Sequence, residues 1–239
     1  NGGIVTADGR DPARRPLPDE YARRIARAFL PDRPLGNRYH YYYARAKLRS
    51  DPLYPGVCEA LRGTRAPLLD LGCGIGLLAH ALHQDGIGLR YFGVDNDARK
   101  IASARRAAAR SGLADAGFET LDLARALPPH RGSVAVLDVM QFLDPARQRI
   151  LVDALAGMLE PGAKLVIRTG LDDGSRRARI TRAGDRLARA LRWMNAGPRH
   201  YPEAAMLRGR FEAAGLRSEV IPLYGDTPFN NWRVVAWRD

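Results

Sequence analysis

Pro67 to Leu77 reads PLLDLGCGIGL, an apolar run that stops at Asp70 and passes into glycines at every second position, Gly72, Gly74 and Gly76. The pattern predicts a strand, a tight turn and a helix start near Ile75. Glycine lacks a β-carbon, so it takes positive φ readily and lets a ligand come close to the main chain. The free N–H groups of the helix start point into the same space. Such a turn receives a ligand. Dinucleotide-binding turns use G-x-G-x-x-G for a pyrophosphate. Here the third glycine comes one residue early and Asp70 precedes the first by two. A carboxylate at that strand end repels a pyrophosphate and suits a ligand bearing an ammonium or a sulfonium.

Asp70, Gly72, Gly74 and Gly76 complete the pattern D/E-x-G-x-G-x-G. In this the chain resembles the class I S-adenosylmethionine-dependent methyltransferases. The resemblance implies S-adenosylmethionine as cofactor, with Asp70, Gly72, Cys73, Gly74 and Gly76 holding it. The predicted second strand, LRYFGVDND, ends at Asp95, 23 residues beyond Gly72. That is near the ~20-residue spacing at which a carboxylate in such folds binds ribose hydroxyls, so Asp95 and Asn96 join the cofactor set. The third strand, Ala116 to Leu121, ends at Asp122. In the family this position meets the adenine amino group, with Leu121 and Leu123 flanking the ring. Asp122 reads equally as the cap of the following DLARAL turn. The fourth strand, SVAVLDVMQFL, is almost continuously apolar, as the buried centre of a parallel sheet requires. It ends at Asp138, a further cofactor position. Related sequences often carry histidine where this chain has Gln141, which removes one candidate base.

From Pro67 onward strands and helices alternate, which predicts parallel pairing with crossovers. The helix Pro145 to Glu160 is amphipathic and stops at Pro161-Gly162, and AKLVIRTG is the fifth strand. Residues 171 to 200 break the alternation with a basic helical insertion. A helix near Pro202 to Ala214 and two strands, Leu216 to Leu223 and Arg233 to Trp237, close the chain as an antiparallel hairpin. The expected fold is therefore α/β: a Rossmann-like, seven-stranded, mostly parallel sheet with an antiparallel last strand. Residues 1–18, rich in Gly, Pro and Arg, read as a flexible arm. Residues 19–63 read as an N-terminal helical lid and 64–239 as the cofactor-binding domain.

Within the lid, NRYHYYYARAKLR over Asn37 to Arg49 packs four tyrosines and a histidine into five positions. At 3.6 residues per turn His40, Tyr43 and Lys47 share one side, and Tyr42, Arg45 and Arg49 a neighbouring one. Some of these rings serve as core cover; helical facing also offers Tyr43 and Lys47 to the cofactor's methionine carboxylate. The segment from Tyr39 through KLRSDPLYP is similar to a bacterial subfamily found with aryl-polyene and related polyketide-lipid gene clusters. That resemblance implies secondary metabolism and an aromatic or polyketide-like acceptor, free or carried on an acyl carrier protein.

The chain has 239 residues and a formal charge of +12. The surplus is local: residues 1–50 hold eleven Arg and Lys against five Asp and Glu, residues 171–210 ten against four, and the rest balance. Guanidinium groups in such excess favour an acidic partner, which suits an acyl carrier protein and permits nucleic acid. No N/D-P-P-Y/F motif and no Pro-Cys nucleophile speak for nucleic-acid methylation, so it ranks second; a non-catalytic nucleotide-binding module ranks third. Apolar runs stay far below the ~20 residues of a membrane span, and no secretion signal opens the chain, so a cytoplasmic protein is expected. Cys58 and Cys73 pair with nothing evident, and no metal-ligand spacing occurs.

Methyl transfer from a sulfonium needs alignment above all, and orientation alone supplies ~7–11 kcal/mol. A base is needed only for a hydroxyl, phenol or carbon acid. The catalytic candidates are His40, His200 and Arg168; Tyr42, Gln141, Arg168, Tyr201, Asn230 and Trp232 are candidates for the acceptor side.

Overall fold

A computed structural model describes residues 15–33, 35–172, 200–225, 227 and 229–238. Seven strands form one sheet: β1 Leu68–Leu71, β2 Tyr91–Asp95, β3 Ala116–Thr120, β4 Ser133–Leu137, β5 Lys164–Gly170, β6 Arg217–Pro222 and β7 Asn231–Trp237. Their order is β3-β2-β1-β4-β5-β7-β6. Pairing is parallel from β3 through β5, and β7, last in the chain, runs antiparallel between β5 and β6. This is the expected fold. The strand order reverses between β1 and β4, and ligands of open α/β sheets bind at the carboxyl edge of such a switch point.

The described helices are α1 Asp19–Arg27, α2 Tyr39–Ser50, α3 Leu53–Leu61, α4 Leu77–Gln84, α5 Ala98–Arg110, α6 Pro145–Ala156 and α7 Ala204–Ala213. Leu69 and Leu71 of β1 turn into the core shared with α6 and α7, while Leu68 faces the core formed with α1 to α5. That alternation, imposed by the pleat, puts Asp70 on the α1–α5 side. Asp97 caps α5 and Asp144 caps α6, and before α2 Asn37 Oδ1 accepts Tyr39 N at 2.8 Å.

Three expectations change. The apolar run SVAVLDVMQFL is not one strand: β4 stops at Leu137, Asp138 takes φ 60, and Met140–Phe142 is a 3-10 turn. A non-glycine residue in the left-handed region ends extension there. The amphipathic helix stops at Ala156, four residues before Glu160, with Gly157 as its C-cap. Within 19–63, α3 is a wall of the core: Leu53, Val57, Cys58 and Leu61 are buried, and the helix packs on α4, β5 and β7. Its near-continuous LYPGVCEAL run was the available signal. The arm before Arg15 and most of the basic insertion, residues 173–199, lie outside the described residues. Among the described residues no helix is long and apolar enough to cross a membrane.

Candidate functional site

The turn leaving β1 is built around positive φ at Gly72, Gly74 and Gly76. A β-carbon on Gly72 would stand 2.5 Å from Val139 Cγ2, and one on Gly76 2.6 Å from Phe118 Cε1. Gly72 thus lets the β1 turn close against the residue that follows Asp138, across the switch point. Gly72 N and Cys73 N both donate to Val94 O, at 2.8 and 2.9 Å, which ties the turn to the end of β2.

Asp95 completes that tie. Its Oδ2 accepts Gly74 N at 3.0 Å and its Oδ1 accepts Asp97 N at 2.9 Å, with Lys100 Nζ 3.8 Å away. Asp70 lies beneath the turn, 2% exposed. Its Oδ2 accepts the Tyr91 hydroxyl at 2.6 Å, and its Oδ1 is buried without a hydrogen-bond partner. Burial raises the Asp70 carboxyl to about 7, against the lowering pull of Tyr91 and with a further upward push from Asp95. The Cys73 thiol, in the turn itself, is pushed up by burial and by both carboxylates. Asn96 and Asp122 are exposed; Asp122 Oδ1 accepts Ala124 N at 3.0 Å, so it does cap the DLARAL turn, and Leu123 is half-buried beside it.

Across the switch point stands a different arrangement. Arg168, at 4% exposure, donates to both Asp138 oxygens through one terminal nitrogen and to Asp51 at 2.9 and 3.1 Å through the other. Lys47 donates to Asp51 at 2.7 Å and to Asp138 at 3.4 Å. Burial opposes charge on all three of Arg168, Lys47 and Asp138, but mutual attraction outweighs it: both cations are raised and Asp138 is lowered. Arg168 therefore does not present a free guanidinium to a substrate; its terminal nitrogens are committed to two aspartates. Lys47 and Asp138, expected at the cofactor, meet each other.

On α2 the predicted faces hold. His40 Nδ1 lies 2.8 Å from Ser103 Oγ of α5, and burial and Arg106 lower its basicity. Arg45 and Arg49 reach Asp19 of α1 at 3.1 and 3.2 Å. Tyr42 and Tyr43 remain 59% and 42% exposed, and Tyr39 stacks on Tyr43. At the carboxyl edge beyond β4, Gln141 Nε2 donates to Asp138 O at 3.0 Å. His200 N donates to Gln141 O at 3.3 Å and Gln148 Nε2 to His200 O at 2.8 Å, so the histidine is exposed but its backbone is fixed to this edge. Tyr201 covers Gly170. Asn230 is buried, its Nδ2 donating to Leu171 O and its Oδ1 accepting Trp232 Nε1. Tyr54 and Tyr91 escaped the sequence reading. Both are buried, and Tyr54, raised well above its usual range by burial, lies among Tyr43, Asp51, Asp138 and Asp70. Aromatic residues at these positions look like core in a sequence.

Residues 68–162, from β1 to the turn before β5, match a family model described as a methyltransferase domain. No curated protein sequence matches the chain. Among solved structures it is similar to magnesium protoporphyrin IX methyltransferase (ChlM) from Synechocystis PCC 6803 with bound SAH, at 19% identity over 92% of this chain and 98% of that one, TM-score 0.60. It is also similar to the mitomycin 7-O-methyltransferase MmcR, at 19% identity over 83% of this chain and 58% of that one, TM-score 0.59. A third likeness is to the glycopeptide N-methyltransferase MtfA complexed with sinefungin, at 15% identity over 78% and 93%, TM-score 0.56. At these identities the likeness is one of fold.

Proposed function

We propose that the chain is an S-adenosylmethionine-dependent methyltransferase acting on a small molecule. The observation that carries this reading is the glycine turn at the switch point, with a buried, half-partnered Asp70 beneath it and Asp95 at the end of β2. Together they suit a cationic, ribose-bearing ligand. The cofactor supplies an activated methyl group. Gly72, Cys73, Gly74 and Gly76 would give it main-chain contact, Asp95 and Asn96 its ribose, and Asp122 and Leu123 its base.

The acceptor side is aromatic. Tyr42, Tyr43, Phe142 and Phe229 expose their rings, and Tyr201 and Trp232 are half-buried at the edge beyond β5. That composition suits an aromatic or polyketide-like acceptor of the kind the aryl-polyene resemblance implies, and the local excess of arginine suits its delivery on an acidic acyl carrier protein. His200 is the base we assign, since His40 is engaged with Ser103 and Gln141 has no proton-accepting role near neutral pH. Lys47, Asp51, Asp138 and Arg168 hold α2 against the β4 turn, keeping the aromatic face of the lid next to the site.

Calorimetry tests the cofactor: the wild type binds S-adenosylhomocysteine and Asp95→Ala at least tenfold more weakly, whereas tight NAD binding in its place overturns the reading. Methyl transfer from labelled donor to cell-extract fractions then tests the acceptor, with label in pigment or lipid expected and label in RNA against it.

A further inference from the structure

Asp70 differs from every other carboxylate at the site in having an oxygen buried with no partner. Asp95 accepts two backbone N–H groups, and Asp51 and Asp138 share two cations. A buried oxygen without a donor disfavours the ionised form, so the carboxyl keeps its proton until a positive charge arrives nearby. Asp70 lies under the glycine turn, and among the described residues no Arg or Lys acts on it.

Resting on the cofactor reading above, we propose that Asp70 and Tyr91 make cofactor capture proton-linked: a cationic ligand settling on the glycine turn drives the Asp70 carboxyl proton out to solvent, and Tyr91 is the positioning residue that governs how readily it leaves. The step is a simple ionisation. The O–H bond of the carboxyl breaks, the electron pair stays on Asp70, and the proton goes to buffer. Tyr91 does not take that proton. Its hydroxyl already donates to Oδ2, and burial and Asp70 itself hold its own acidity far down.

Two features make Tyr91 specific to this task. Among the described residues the 2.6 Å hydrogen bond is the one side-chain donor that Asp70 has, and it stabilises the carboxylate over the acid. Gly93, two residues along β2, leaves room for the ring: a β-carbon there would stand 2.9 Å from Cys73 Sγ and 3.0 Å from Tyr91 Cε1. The titratable groups facing Asp70 among the described residues are Tyr91 and Asp95 from β2, Cys73 in the turn and Tyr54 from α3. Asp95 among them opposes ionisation of Asp70. The Asp70 carboxyl stands at about 7, so the link operates in the physiological range.

The test is calorimetry of sinefungin, a stable analogue with an ammonium in place of the sulfonium, in buffers of different ionisation enthalpy at pH 6 to 8. The wild type should release a sizeable fraction of a proton near pH 7 and bind about tenfold more weakly at pH 6 than at pH 8. Tyr91→Phe should move that window upward and bind several-fold more weakly at pH 7, while Asp70→Asn should bind with no proton release. In the free protein, carboxyl carbon resonances should show Asp70 titrating later in Tyr91→Phe than in the wild type. Wild-type binding without proton release, or an unmoved Asp70 titration in Tyr91→Phe, overturns the proposal and leaves the cofactor reading standing. If the folded wild type binds neither sinefungin nor S-adenosylhomocysteine, the cofactor reading itself fails.

Discussion

The two halves of the carboxyl edge handle charge in opposite ways. Around β4 and β5, Lys47 and Arg168 neutralise Asp51 and Asp138, one cation for each anion. Around β1 and β2, Asp70 and Asp95 face the glycine turn, and among the described residues only Lys100, 3.8 Å from Asp95, offers partial compensation. The balanced half is a clasp, closed on itself and holding α2. The unbalanced half, the receptor half in the reading proposed above, keeps negative charge that a cationic cofactor would meet.

The largest effect should come from unbalancing the clasp. Arg168→Met leaves two carboxylates with Lys47 as their one shared cation, and removing one partner from a buried pair costs about 3–5 kcal/mol. For a chain of this size that lowers the thermal midpoint by roughly 10 °C, measurable by calorimetric unfolding. An unchanged midpoint would mean the cluster holds nothing.

The receptor half also carries a buried base. His80 of α4 packs tilted against Phe29, ring centroids 5.2 Å apart, its Nε2 lacks a hydrogen-bond partner among the described residues, and burial lowers it from 6.5 to about 4. Its folded value lies below its unfolded one, so as pH falls from about 6.5 to about 4 the unfolded chain binds more protons and stability drops. By pH 4.5 the loss attributable to His80 is about 2–3 kcal/mol. His80→Leu should flatten that acid limb in urea titrations, and an equally steep limb would exonerate it.

Asp70 has the opposite sign. Its folded value, about 7, exceeds 3.8, so the native state holds the proton longer and stability declines as pH rises through that window. Asp70→Asn should therefore be more stable than the wild type at pH 8. The gain is about 1–2 kcal/mol once an unpartnered amide N–H is set against the avoided charge. The same variant should bind cofactor worse. A variant that loses both stability and binding would place Asp70 with the clasp, as a structural ion.

How much of this a sequence reveals depends on separation along the chain. The receptor half is local: Asp70, Gly72, Gly74 and Gly76 sit in one turn, and Asp95 ends the next strand, so strand-turn-helix chemistry made both legible. The clasp is not. Arg168 meets Asp51 across 117 positions and Lys47 meets Asp138 across 91, and nothing in LRSDPLYP states that its aspartate faces a strand-end arginine. For the same reason Arg168 read as a substrate contact. Tyr91 was hidden differently, because an aromatic residue opening a buried strand is what packing alone would place there. The parallel pairing followed from alternation. The break at Asp138 did not, since the left-handed residue sits inside an unbroken apolar run.

Cys73 gives the glycine turn a chemical clock. Its thiol is 9% exposed, packed beside Gly93 and held protonated. Alkylating reagents attack the thiolate, so labelling waits for the turn to lift. Cys58, buried on α3 and pushed up to about 12, provides the comparison within the same chain. Mass spectrometry of the two alkylated peptides over time should then read turn opening and α3 unfolding separately, with S-adenosylhomocysteine slowing Cys73 far more than Cys58.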